Sequence, residues 1–183
     1  MNMSSKITLV PLKQNLLITK ASGAIDYSDV FQLKSEKLVN PPEPKDCMIA
    51  FFKAFPKSFK FLLNAREKIA KQLHLKTAPE TDKASRLERL HNFKGDIGEA
   101  IAIFEVLDKS SIELLTGQTD DHLDFKLSFI SYTTDNPIIE LATTVKINNK
   151  VGKLYFSIVR PIHKYYMKVI LLRMEQILVN KDW

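Results

Sequence analysis

Residues Gly152 to Leu178 read GKLYFSIVRPIHKYYMKVILLRMEQIL, at once the most apolar and the most basic part of the chain. Lys153, Ser157, Arg160, Lys164 and Lys168 recur at spacings of three and four, drawing one polar stripe down a helix and leaving most other sides apolar. Leu154, Tyr155, Ile158, Val159, Ile162, Tyr166, Val169 and Ile170 each gain about 1.5–3 kcal/mol on full burial. The sequence therefore predicts that the remainder of the chain wraps this helix.

The wrapping elements are legible upstream. Between Glu99 and Ile147 the apolar period changes from 3.6 to 2, which predicts strands over Glu99–Asp108, Ile112–Thr116, His122–Tyr132 and Ile138–Ile147. The joints between them are short, so neighbours run antiparallel. Leu123, Phe125, Leu127 and Phe129 alternate with His122, Asp124, Lys126 and Ser128. This predicts one apolar face and one wet face, a sheet covered on one side only. Before them, Ile25–Leu33 reads as a first strand, Asn40–Pro44 as a proline-bound loop, and Cys47–Ala54 and Pro56–Leu73 as two helices. His74–Phe93 reads as a long polar loop or irregular helix. Strand, two helices, four strands and a long helix predict an α+β helix-grip fold, a curved antiparallel sheet closed on its C-terminal helix. Residues 1–23 form an N-terminal extension ending at Ala21-Ser22-Gly23, and 24–183 a single domain.

A chain of 183 residues can bury roughly 70% of its unfolded surface and needs neither disulfide nor structural metal. Its single cysteine, Cys47, excludes an intrachain disulfide and suits a reducing compartment. The net charge of +6 is concentrated: from Lys146 to Trp183 eight Lys/Arg face only Glu175 and Asp182, and the remainder is balanced. Such a helix suits an acidic partner or surface, or is simply kept in solution by its cations. The N-terminal run Ile7–Ile18 is broken by Pro11, Lys13, Gln14 and Asn15, and no stretch reaches the ~18 uncharged residues of a membrane span. The expected location is cytoplasmic, with no transmembrane segment.

Asp120-Asp121-His122-Leu123-Asp124-Phe125 is the most chemically suggestive local pattern. His122 and Asp124, two apart on a strand, point to one side, and a carboxylate beside an imidazole raises its basicity. His163 on the final helix can approach them to complete a His-Asp-His set. The structural alternative is that His122 and Asp124 bond to each other or to turn amides and hold the hairpin. Two ligands on one strand are too few for a closed zinc site, so no metal is expected. Pro161 removes a helical amide bond to Ser157 and is expected to bend the helix, opening space beneath it or fitting it to a curved sheet. No P-loop, dinucleotide fingerprint or nucleophile elbow occurs, so no cofactor is expected, and the aromatics fall on the face to be buried, against nucleic-acid binding.

Asp26-Tyr27-Ser28-Asp29-x-Phe31, Asp121-His122-Leu123-Asp124-Phe125, Asn149-x-x-Gly152-x-x-Tyr155 and Pro161-x-His163 together resemble an uncharacterised bacterial family, domain-of-unknown-function family 2867, over roughly Ala24 to Arg173. That family also occurs as the C-terminal part of some proteins with an NAD(P)-binding epimerase-like domain. The resemblance implies a START-like, polyketide-cyclase-like helix-grip fold with a cavity between sheet and helix, and it supplies no catalytic residue. Three functions follow as expectations. The first is binding of a small apolar or amphipathic ligand against Tyr155, Val159, Ile162, Tyr166, Phe125 and Leu127. The second is a cyclase- or hydratase-like enzyme with His122 as base, Asp124 orienting it and Tyr155 or His163 assisting. The third is an interaction module whose basic helix meets an acidic partner or membrane surface.

Overall fold

The structure, a computed structural model, describes residues 6–56 and 83–181. Its centre is a pair of eleven-residue strands, β6 (Leu123–Thr133) and β7 (Pro137–Ile147), paired in register from Leu123↔Ile147 to Thr133↔Pro137. On one side β5 (Glu113–Thr119), β4 (Phe104–Lys109) and β3 (Ala100–Ile101) continue the meander. On the other, β2 (Tyr27–Lys34) joins β7, and β1 (Lys6–Leu9) forms the edge. All seven strands run antiparallel in the order β1-β2-β7-β6-β5-β4-β3. Among the described residues the helices are α1 (Leu17–Ala21), α2 (Pro44–Lys53), α3 (Lys83–Asn92) and α4 (Lys150–Asn180), so a long C-terminal helix closes the sheet in the expected helix-grip arrangement.

The expected strand over Glu99–Asp108 is two strands. Ala102 turns the chain between them with φ 57°, a left-handed conformation that non-glycine residues adopt at a cost of about 1–2 kcal/mol. No glycine marks that turn, so its sequence reads as continuous strand. The helix expected over Cys47–Ala54 is α2, which starts earlier, with Pro44 in its first turn where a missing amide costs nothing. The helix expected over Pro56–Leu73 lies, from residue 57 on, outside the described residues, as do residues 74–82 of the following loop, whereas the second half of that loop forms α3.

One face of the sheet carries Phe31, Leu33, Leu127, Phe129, Ile139 and Leu141 against α2 and the second half of α4, where Met167, Ile170, Leu171, Met174 and Leu178 are buried. Phe51 of α2 stands edge-on to Phe52, Phe55, Phe104 and Phe129 at 5.0–6.2 Å between ring centres, the geometry that aromatic quadrupoles favour. Full burial of large apolar side chains, expected along the whole final helix, is confined to this half. Leu154 and Ile158, near its start, are 61% and 48% exposed.

The expectation of a wet second face is also corrected. β7 is buried on both faces from Pro137 to Val145. Leu16 and Ile18 cover Val30, Leu115, Ile130 and Ala142 there, so residues set apart as an extension pack on the sheet. Alternation misleads because the polar residues on that face are buried with partners. The Glu113 carboxylate accepts the Leu17 and Ile18 amides at 2.6 and 2.9 Å and the Ser128 hydroxyl at 2.6 Å. Glu140 accepts from Lys13 at 3.0 Å, Gln32 at 2.7 Å and Tyr132 at 2.7 Å. A buried carboxylate so surrounded carries little net penalty, and these two fasten the N-terminal segment down.

Candidate functional site

The first half of α4 crosses the sheet above β2 and β7, and three polar side chains meet there. Tyr27 and Asp29 are two apart on β2, so both point at the helix, on the same face as Phe31. Thr143 is the β7 partner of Asp29. From α4, His163 places Nε2 3.3 Å from each Asp29 oxygen and 3.4 Å from Thr143 Oγ1, and the Tyr27 hydroxyl donates to Asp29 Oδ2. The Asp29 side chain is 5% exposed and that of His163 14%.

Burial alone would raise the Asp29 carboxyl, but the His163 imidazole and then the Tyr27 and Thr143 hydroxyls outweigh it and hold the group below the ordinary carboxylate range. Burial, and then the bond to Asp29, pushes the Tyr27 phenol up. Ionised Asp29 only accepts, so the His163 nitrogen that faces it, Nε2, carries a proton. Among the described residues Nδ1 has no hydrogen-bond partner. Phe156 meets the Tyr27 ring edge-on at 5.0 Å, Arg160 lies over it at 4.9 Å and Lys164 at 5.8 Å, so the helix grips this corner by cation–π contacts as well. Tyr27, Asp29, Thr143 and His163 thus form one connected polar group set in an apolar seam.

His122 and Asp124 are not part of it. His122 Nδ1 lies 2.9 Å from the Asn149 side-chain nitrogen and 3.2 Å from its oxygen, and Asn149 caps α4 by accepting the Gly152 amide at 2.9 Å. Asp124 points to the opposite face, accepting from Asn148 at 3.2 Å and lying 3.9 Å from Lys146. Both residues therefore sit at the β7–α4 turn, and His163 takes Asp29 as its carboxylate instead. Of the residues expected to line a ligand, Leu127 is fully buried and Phe125, Tyr155, Val159, Ile162 and Tyr166 are half-buried, with Phe125 and Tyr166 packed against the same apolar core. Phe125 stands edge-on to Phe104 at 5.5 Å. α4 runs unbroken through Pro161, and both Pro161 and Ser157 lie on its exposed side, so the lost amide bond falls away from the seam. Burial pushes the Cys47 thiol up and leaves it no nucleophilic role. A separate depression of about 180 Å³ lies on the α1 side, lined by Ser22, Gly23, Lys126, Thr144 and Lys146 among others. Among the described residues no three His, Cys, Asp or Glu side chains converge as metal ligands, and no helix is long and apolar enough to cross a membrane.

Tyr27, Asp29 and Thr143 escape a local reading because each looks like an ordinary strand residue. The signal available is that Tyr27-x-Asp29 and Pro161-x-His163 stand out as separate motifs 134 residues apart, measured from Asp29 to His163. Packing of β2, β7 and α4 turns those two motifs into one site.

Comparison with curated proteins and with solved structures finds no match. Comparison with family models matches residues 21–170, a span that holds β2 to β7, the polar group and α4 as far as Ile170. The chain is a member of the family described as protein of unknown function (DUF2867).

Proposed function

We propose that this protein is a helix-grip binding module. It takes a small amphipathic molecule between the sheet and the first half of α4, with the polar end of the ligand at His163 Nδ1. The observation that carries this reading is the His163–Asp29–Tyr27 group. A nearly buried carboxylate and imidazole interrupt an apolar seam, and the imidazole keeps one nitrogen without a partner among the described residues. Ligand sites combine apolar walls with a few placed polar groups in this way. Phe125, Val159, Ile162 and Tyr166, all half-buried, supply the walls. A START-like cavity, as the family resemblance implies, is the corresponding space. A neutral apolar dye such as N-phenyl-1-naphthylamine tests the reading by titration. Saturable binding near one dye per chain is expected, unchanged by Leu154→Ser with Ile158→Ser on the outer side of the helix. Absence of saturation, or loss of binding in that double variant, contradicts it.

A second reading, proton-transfer catalysis of the cyclase or hydratase kind, is favoured by the same imidazole. Asp29 fixes its Nε2–H, and the Nδ1 lone pair is left to act as a base. In that reading His163 and Asp29 take the roles that the sequence pattern suggested for His122 and Asp124.

A further inference from the structure

The outer side of α4 carries a regular apolar line. Leu154, Ile158, Tyr165 and Leu172 follow one another at intervals of four, seven and seven, which places them on one side of a helix, and they are 61%, 48%, 65% and 43% exposed. At 1.5 Å per residue the line runs about 27 Å. Single exposed apolar residues are ordinary, whereas four in register along one helix form a surface. Beside this line, on one flank, stand Lys150, Lys153 and Lys168, all exposed, and then Arg160 and Lys164 at the Tyr27 edge. Between Lys150 and Met174 the helix carries no carboxylate.

We propose that this side of α4 docks on an anionic phospholipid surface, with the apolar line at the acyl boundary and the lysine flank among the headgroups. Charge complementarity selects that partner. A second copy of the chain would bring another carboxylate-free basic flank to the contact and leave both sets of cations unanswered. A neutral apolar partner would leave the flank without a role. A helix with Leu and Tyr on one side and Lys/Arg beside them is the pattern of interfacial helices that lie in the membrane plane. Spanning is excluded for α4 by its charges, since no helix among the described residues is long and apolar enough to cross. The docking face is opposite the sheet-facing side of the helix, so it leaves the seam at His163 uncovered by the bilayer.

Co-sedimentation of the full chain with vesicles of phosphatidylcholine containing phosphatidylserine at about one lipid in three tests this. Binding is expected to fall about tenfold or more on pure phosphatidylcholine, and similarly when salt is raised from about 0.1 to 0.5 M, where screening shortens to a few ångströms. Leu154→Ser, Ile158→Ser and Tyr165→Ser combined is expected to abolish sedimentation with an unchanged thermal melt, because those side chains are exposed. Lys150→Glu, Lys153→Glu and Lys168→Glu combined is expected to do the same by removing the flank. No sedimentation with anionic vesicles overturns the proposal. So does equal binding to both vesicle types, or full binding by the serine variant. Poly-glutamate that competes as well against the serine variant as against the parent also overturns it, and identifies an acidic chain as the partner.

Discussion

Replacing Gly152 with Ala is expected to lower the melting temperature by about 10 °C. A Cβ at that position would sit 2.0 Å from the carbonyl oxygen of His122 and 2.9 Å from its carbon. Those are backbone atoms, so no side chain can swing aside to admit the methyl. Nor can the two segments separate freely. His122 O accepts the Asn148 amide at 2.9 Å, and Asn149 reaches both the His122 ring and the Asp121 carbonyl while capping α4. Moving the helix start by even 1 Å breaks this set together, for which a loss of about 3 kcal/mol is a reasonable scale. Gly23→Ala serves as the control, because nothing lies within 4 Å of its added Cβ. Circular dichroism melts that place both variants within about 2 °C of the parent would show that the β6–α4 contact is looser than described.

Asp29→Asn is expected to cost about 3 kcal/mol at neutral pH, because it removes the charge to which His163 and Tyr27 are both bonded in a nearly closed site. The effect carries a pH signature. The Asp29 carboxyl titrates in the folded protein below its unfolded value of about 3.9. Its stabilisation is therefore complete above that value and disappears as pH falls through the lower, folded-state value. The asparagine variant has no such titration, so the stability gap to the parent is expected to be full at pH 7 and to narrow toward pH 2–3. Denaturant unfolding at a series of pH values measures it. A gap that stays constant down to pH 2 would mean that shape, and not charge, is what Asp29 supplies.

The long final helix and the meander before it are legible in the sequence because their periods are carried by large apolar residues, such as Phe125, Leu127 and Phe129 on β6. Three features are not legible, each for a physical reason. The break at Ala102 depends on a strained non-glycine conformation. The covered second face depends on Glu113 and Glu140, whose partners include Lys13, Leu17 and Ile18, residues about a hundred positions away. The polar site depends on Asp29 meeting His163 across two elements. His122 and Asp124 attract attention because they are two apart in sequence. Their partners, Asn149 for one and Asn148 and Lys146 for the other, show that sequence proximity on a strand end reports a turn as readily as a catalytic pair.

Native mass spectrometry of freshly purified protein tests the central claim most directly. Part of the wild-type population is expected to carry one added small-molecule mass that denaturation releases. That occupancy is expected to fall at least about tenfold in His163→Leu, which keeps the walls apolar and removes the nitrogen at the polar end, and to persist in Leu154→Ser. Wild-type protein that flies at its bare mass in every preparation, or a His163→Leu variant as fully loaded as its parent, would contradict a ligand held at His163 between helix and sheet.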